Sequence, residues 1–289
     1  MPHVKHSGVA RAAALAAGFA LLWGLGLWPH FVPLWAAIPG GVIFFVAAHL
    51  VSRWLGLGGL PGLGFTRIGA AGRQLGLGLV AGGLAIVLYV IVALGTGRWE
   101  RVGFRPLDEM QGLLLLTLLN TAYIGFWEET LCRGYLIRAI GGRHGIATLA
   151  LISGAAFVPF HFTQFGTVPQ YFLLYWFLSG VAFALPLLIT GSLWISVGMH
   201  WGHNLLFALF LTRDGWMIAE RAATPPPFSK YLLLVVAVAK IPLAWGASRL
   251  AIRRDEAAPR GPEDSTRPAT TNAHANEALH LTARFARRR

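Results

Sequence analysis

The chain is predicted to be an all-α, polytopic integral membrane helix bundle of about eight spans, and three observations predict it. Of its 289 residues, 55% are hydrophobic and only 12% are charged. The mean hydropathy is +0.58, too apolar for a soluble domain of this length. Eight runs are long enough, at about 18 or more apolar residues, to cross a hydrocarbon core of roughly 30 Å as helices. Their Leu, Val, Ala and Gly content, with little alternation, does not fit a β-barrel.

The predicted spans cover residues 9–29, 31–52, 74–96, 111–132, 145–163, 169–189, 192–212 and 229–249. The first resembles a secretory signal, with Lys5 and Arg11 near its start, but its apolar length and the immediate second span predict a retained helix. Between the second and third, LGLGGLPGLGFTRIGAAG is glycine-rich and is expected to lose helical continuity at Pro61. No strand precedes it and no Lys-Ser or Lys-Thr follows, so it reads as a flexible or re-entrant connector rather than a phosphate-binding loop. Ahead of the fourth span, GTGRWERVGFRPLDEM reads as a polar loop ending in an interfacial turn, and the fourth is expected to continue as an amphipathic helix to Ile140. Residues 1–250 thus form one membrane-embedded domain. Residues 251–289 gain Pro, Thr, Asn and charge and are expected to be a disordered basic tail.

With the N-terminus taken as cytoplasmic, the inner segments carry twelve Lys and Arg near the span ends, Arg133 and Arg138 among them, against six outside. Both termini are therefore expected in the cytoplasm, and the protein in the cell's inner membrane. The formal charge of +12 is distributed over loops and tail, which suits anionic lipid headgroups better than nucleic acid. Cys132 is the only cysteine, so no intrachain disulfide exists, and it reads as a small buried filler rather than a nucleophile.

Ten of the twelve acidic residues fall in loops or the tail, whereas Glu128 and Glu129, in WEETLCRGYL, sit in a span. A carboxylate at a helix centre costs about 2.5–3.5 kcal/mol by insertion scales, so it needs a partner or a task. Glu129 and Arg133 are four apart and suited to pairing on one face. That leaves Glu128 about 100° around the axis and free. In SGAAFVPFHF, Phe157 and His161 are four apart; in SVGMHWGHNLL, His200 and Asn204 share a face with His203 at its edge. Counting about 1.5 Å per residue from the inner turns, Glu128 lies roughly 22 Å up, His161 roughly 28 Å, His200 about 15 Å and Asn204 about 21 Å. The four can occupy one layer. With Arg133 and Arg138 taken to mark the inner interface, that layer lies in the cytoplasmic half of the bilayer, in a cavity reached by water.

Glu128-Glu129-x-x-x-Arg133, Phe157-x-x-x-His161 and His200-x-x-x-Asn204, in that order on separate apolar spans, resemble the CAAX protease and bacteriocin-processing family of intramembrane endopeptidases. This family, also called Abi, includes the type II CAAX prenyl proteases. The resemblance covers residues 74–212 and implies a multi-helix membrane protease of the glutamate type. It implies that Glu128 activates water with His161, that His200 and Asn204 stabilise the oxyanion, and that Glu129 and Arg133 support them. His203 lies outside the motif and reads as packing or a supporting contact.

No cofactor is expected. Zinc held by Glu128, His161 and His200 is the lesser alternative, because there is no His-Glu-x-x-His helix and Asn204 would be an unusual fourth ligand. Haem bound by His161 and His200 would leave Glu128 and Asn204 without a task. A transporter or non-catalytic membrane adaptor would use the same groups as a proton relay, but the two halves show no paired broken helices. The expected partners are the lipid bilayer and a substrate that is a peptide, a bacteriocin-like precursor or a membrane-protein tail.

Overall fold

The computed structural model describes residues 8–31, 34–66, 68–141, 144–161, 169–224 and 227–257. A helix occupies each of the eight predicted runs. These are α1 (Gly8–Leu27), α2 (Leu34–Trp54), α3 (Ile68–Gly95), α4 (Leu107–Ile140), α5 (Ile146–Phe157), α6 (Gln170–Thr190), α7 (Trp194–Leu211) and α8 (Leu232–Ala257). Helices α1, α3, α4, α6 and α8 are long and apolar enough to cross a membrane, and shorter apolar helices lie at Ile38–Trp54 and Ile146–His161. Large apolar side chains such as Val42, Val80, Leu115 and Val238 are exposed on the outside, where lipid would cover them. The protein is a multi-pass membrane helix bundle.

Helix α7, which carries the third motif, is seated by a glycine seam. Gly78 and Gly82 of α3 face Gly198 and Gly202 of α7 so closely that a methyl group on any of the four would overlap the backbone of the other helix. Small residues spaced four apart let two membrane helices make main-chain contact. A second close crossing joins α5 to α6, where a methyl on Gly180 would meet the Gly154 Cα and the Phe157 Cβ. Helix α1 is tied to α4 by Tyr135, whose hydroxyl donates to Leu15 O at 2.8 Å, and by Tyr123, whose hydroxyl donates to Gly26 O at 3.0 Å.

Two connectors differ from the sequence reading. The chain turns out of α2 at Gly56 (φ +74°) and Gly58 (φ +86°), while Pro61 sits inside the short helical turn Gly59–Gly62. Left-handed φ values are open to glycine at little cost, and proline fits an opening helical turn, so the glycines rather than Pro61 end the helix. Gly64 O then accepts the Leu193 N–H at 2.8 Å, holding this connector against the start of α7.

The expected polar loop before α4 is instead β1 (Trp99–Phe104), paired antiparallel with β2 (Met217–Arg221). Arg105 fastens the pair: its Nε donates to Gly215 O at 3.0 Å and its Nη2 to Arg213 O at 3.2 Å. Trp216 Nε1 donates in return to Arg105 O at 3.0 Å. The two strands lie more than a hundred residues apart, so neither has a local partner to announce it. Helix α8 runs past residue 250 to Ala257, and the rest of the expected tail lies outside the described residues.

Candidate active site

The site forms where α4, α5, α6 and α7 converge, and an irregularity in α4 aims its charged groups. From Thr130 to Tyr135 the helix widens into a π-helical turn, a feature that recurs at functional sites. Glu128 and Glu129 close the α-helical part just before it, and Arg133 lies within it. Both glutamates and Arg133 are buried. Arg133, expected at the inner interface, is instead enclosed by α5 and α6, because its guanidinium finds partners there.

Arg133 Nη1 donates to Glu129 Oε1 at 2.9 Å and Nη2 donates to Gly180 O at 3.1 Å. Its Cζ lies 4.4 Å from the centroid of the Phe157 ring and 5.6 Å from that of Phe183. Two hydrogen bonds and two ring faces solvate the cation where water is excluded. The close α5–α6 crossing is what brings Phe157 and the Gly180 carbonyl to the same guanidinium.

Glu129 has a second partner. His200 Nδ1 lies 2.8 Å from Glu129 Oε1, the oxygen that already accepts from Arg133. An oxygen accepting from a guanidinium acts as acceptor here too, so Nδ1 carries the hydrogen and Nε2 points onward. The ring is also stacked on Phe183, at 4.7 Å between centroids and 18° between planes. Glu129 and Phe183 together fix the orientation of His200.

Glu128 meets different surroundings. Its Oε2 is buried and makes no hydrogen bond among the described residues, and it lies 3.8 Å from His200 Nε2. That gap is too long for a direct hydrogen bond. His161 joins the cluster from the 3₁₀ turn that ends α5. Its Nδ1 lies 3.2 Å from Phe157 O, which can only accept, so Nε2 is left as the unprotonated nitrogen of the neutral ring. Trp176 stacks on His161 at 4.5 Å, and the Phe157 ring touches both imidazoles, at 4.7 Å from His161 and 5.5 Å from His200.

The structure thus gathers Glu128, Glu129, Arg133 and His200 by direct contact and adds His161 through Phe157. Asn204 lies one turn beyond His200 on α7 and is half-buried, as is His161, while the other four are enclosed. Among the described residues, no three His, Cys, Asp or Glu side chains come together as a metal-ligating set.

Residues 110–206 match the model of a family described as type II CAAX prenyl endopeptidase Rce1-like. The match covers about a third of the chain, and over that segment the chain is similar to this family. The resemblance read from the three motifs is borne out, and every motif residue from Glu128 to Asn204 lies within the match. The match supports, at the level of the family, a CAAX protease-like intramembrane peptidase. No curated protein matches the chain.

One buried polar group beyond the matched segment was missed by the sequence reading. Lys240 of α8 is fully buried, and its Nζ donates to Ser179 Oγ at 2.8 Å. It also lies 3.5 Å from His203 Nε2, which is 2.6 Å from the Tyr175 hydroxyl. His203, read as packing or a supporting contact, belongs to a second polar cluster. The signal is a single lysine inside the apolar run YLLLVVAVAKIPLAW, as costly in a span as the two glutamates.

Proposed function

We propose that this protein is an intramembrane endopeptidase in which Glu128 activates a water molecule to hydrolyse a peptide bond without a metal ion. The observation that carries this reading is the buried, unbonded Glu128 Oε2 set 3.8 Å from His200 Nε2. A water oxygen about 2.8 Å from each would span that gap while hydrogen-bonding both. Glu128 would take one proton from the water as its oxygen attacks the carbonyl carbon. On collapse of the tetrahedral adduct the C–N bond breaks, and Glu128 returns the proton to the leaving amine.

The supporting roles follow from the hydrogen-bond inventory. Asn204 offers an amide donor to the developing oxyanion. His200 does so from Nε2 only as imidazolium, which Glu129 would stabilise through Nδ1. Once His200 is imidazolium and donates to the water oxygen, the free Nε2 of His161 is suited to accept the second water hydrogen. Arg133 keeps Glu129 occupied, so that Glu128 alone of the two acids is available to substrate.

The substrate is a peptide or the tail of a membrane protein, reached from the cytoplasmic half of the inner membrane, with both termini of the chain in the cytoplasm. The test is to purify the protein in detergent and incubate it with a peptide library in H₂¹⁸O, with and without a strong chelator. One labelled oxygen in each new carboxylate, with cleavage undiminished by chelation, is expected. Cleavage abolished by chelation and restored by zinc would contradict the metal-free reaction.

A further inference from the structure

A hydroxyl inside an apolar helix ordinarily bonds the carbonyl four residues back on its own helix. Ser52, Thr121, Thr130, Thr190 and Ser248 all do so. Ser196 of α7 does not. Its side chain is fully buried, yet its Oγ makes no hydrogen bond among the described residues.

Ser196 stands midway along a polar face. Four residues toward the α6–α7 turn is Ser192, whose Oγ donates to Gln74 Oε1 of α3 at 2.5 Å. Four residues the other way is His200. The three share one side of α7 at intervals of about 6 Å. One end of this face reaches the catalytic cluster, where His200 Nε2 lies 3.8 Å from Glu128 Oε2. The other end lies beside the turn at Thr190 and Gly191, which is half-buried.

Each step carries a buried polar atom that no described residue bonds. These are Gln74 Nε2 beside Ser192, Ser196 Oγ itself and Glu128 Oε2 beside His200. If the Gln74 and Ser192 side chains served only to pin α3 to α7, the amide nitrogen would be left unsatisfied at a cost. Buried polar groups that lack a protein partner ordinarily bond water. A single water, with bonds of about 2.8 Å on either side, spans an interval of about 6 Å. Hydrolysis consumes one water for each bond cleaved, so a site walled by apolar helices needs resupply.

We propose that the Ser192–Ser196–His200 face of α7 binds a file of water that resupplies Glu128 from the α6–α7 turn, with Gln74 and Ser196 holding it. The supply role rests on the hydrolytic reading; the binding of water does not. Accordingly the test has two arms. In a Cys132→Ala background, Ser196→Cys and Ser248→Cys are exposed in detergent to silver ion, which is small enough to follow water and caps the thiols it reaches. Thiols left free are counted by alkylation and mass after unfolding. Both serines are fully buried, but Ser248 donates to Ala244 O on its own helix at 2.7 Å.

Ser196→Cys is expected to be capped about tenfold faster than Ser248→Cys, because it alone meets water. In the second arm, Ser196→Val puts methyl groups where the hydroxyl stood and is expected to lower kcat about tenfold with KM unchanged. Ser196→Ala, which leaves room for water, should lower it about threefold. Equal capping of the two cysteines overturns the water file, and a wild-type kcat in Ser196→Val overturns its supply role. Should Ser196→Val fail to accumulate, a wild-type kcat in Ser196→Ala overturns that role instead. If the wild type cleaves no peptide, the hydrolytic reading fails, and the silver comparison still decides whether water enters along α7.

Discussion

Two polar regions flank Phe183, and they differ in how their charges are satisfied. On the Arg133 side, one carboxylate oxygen of Glu129 takes hydrogen bonds from both Arg133 and His200. On the Lys240 side, the ammonium has a serine hydroxyl, an imidazole and two rings, but no acid. The first region is a hydrogen-bonded ion pair, although Glu129 Oε2 and Arg133 Nε find no partner among the described residues, with a second acid beside it; the second is a cation without an acid. A membrane interior tolerates polar groups when each is matched, so the unmatched members are where function is to be sought.

The largest effect that separates the two regions is expected from Arg133→Met. Removing Arg133 leaves the buried Glu129 without its cation and with His200 as its remaining donor, which costs about 3–5 kcal/mol. Unfolding in detergent should show a large fall in midpoint, well beyond that of Lys240→Met. If the two fall equally, the Arg133 side is no more tightly coupled than the other. Next comes Asn204→Ala, which should lower kcat by about 10²–10³-fold through loss of an oxyanion donor, with helical content by circular dichroism unchanged.

Gly82→Leu sharpens the comparison from the scaffold. Because even a methyl there overlaps the Met199 backbone, the seam that seats His200 must open, at a cost of about 1–3 kcal/mol or more. The variant should lose both stability and activity, whereas Gly76→Leu, facing open space on the same helix, should lose neither. The smallest effect is expected at the strand pair. Arg105→Ala removes its two side-chain hydrogen bonds to Gly215 O and Arg213 O, worth about 1 kcal/mol each or less, and should speed hydrogen exchange in β1 and β2 while leaving cleavage intact.

What was legible in the sequence was local. Apolar runs located the helices, and the four-residue spacing of Glu129 and Arg133 foretold their ion pair because one helix carries both. Glu128 read as the free acid for the same reason. Groups whose partners lie on other helices were not legible. Nothing in the spacing of Glu129 and His200 announces their 2.8 Å contact, and Lys240, Ser179 and His203 come from three separate helices. The strands pair across more than a hundred residues, and the π-helical turn around Arg133 is a backbone choice settled by tertiary packing. The four-residue spacing of Gly78/Gly82 and Gly198/Gly202 went unread, although small residues so spaced suit close helix packing.

The most direct test of the central claim is the ratio of kcat/KM for wild type and Glu128→Gln on one cleavable peptide, in chelator, with Glu129→Gln alongside. A loss of about 10³-fold or more in Glu128→Gln, with its unfolding transition still cooperative, is the predicted result, in keeping with the upper range for removal of a general base. Glu128→Gln within tenfold of wild type would contradict it.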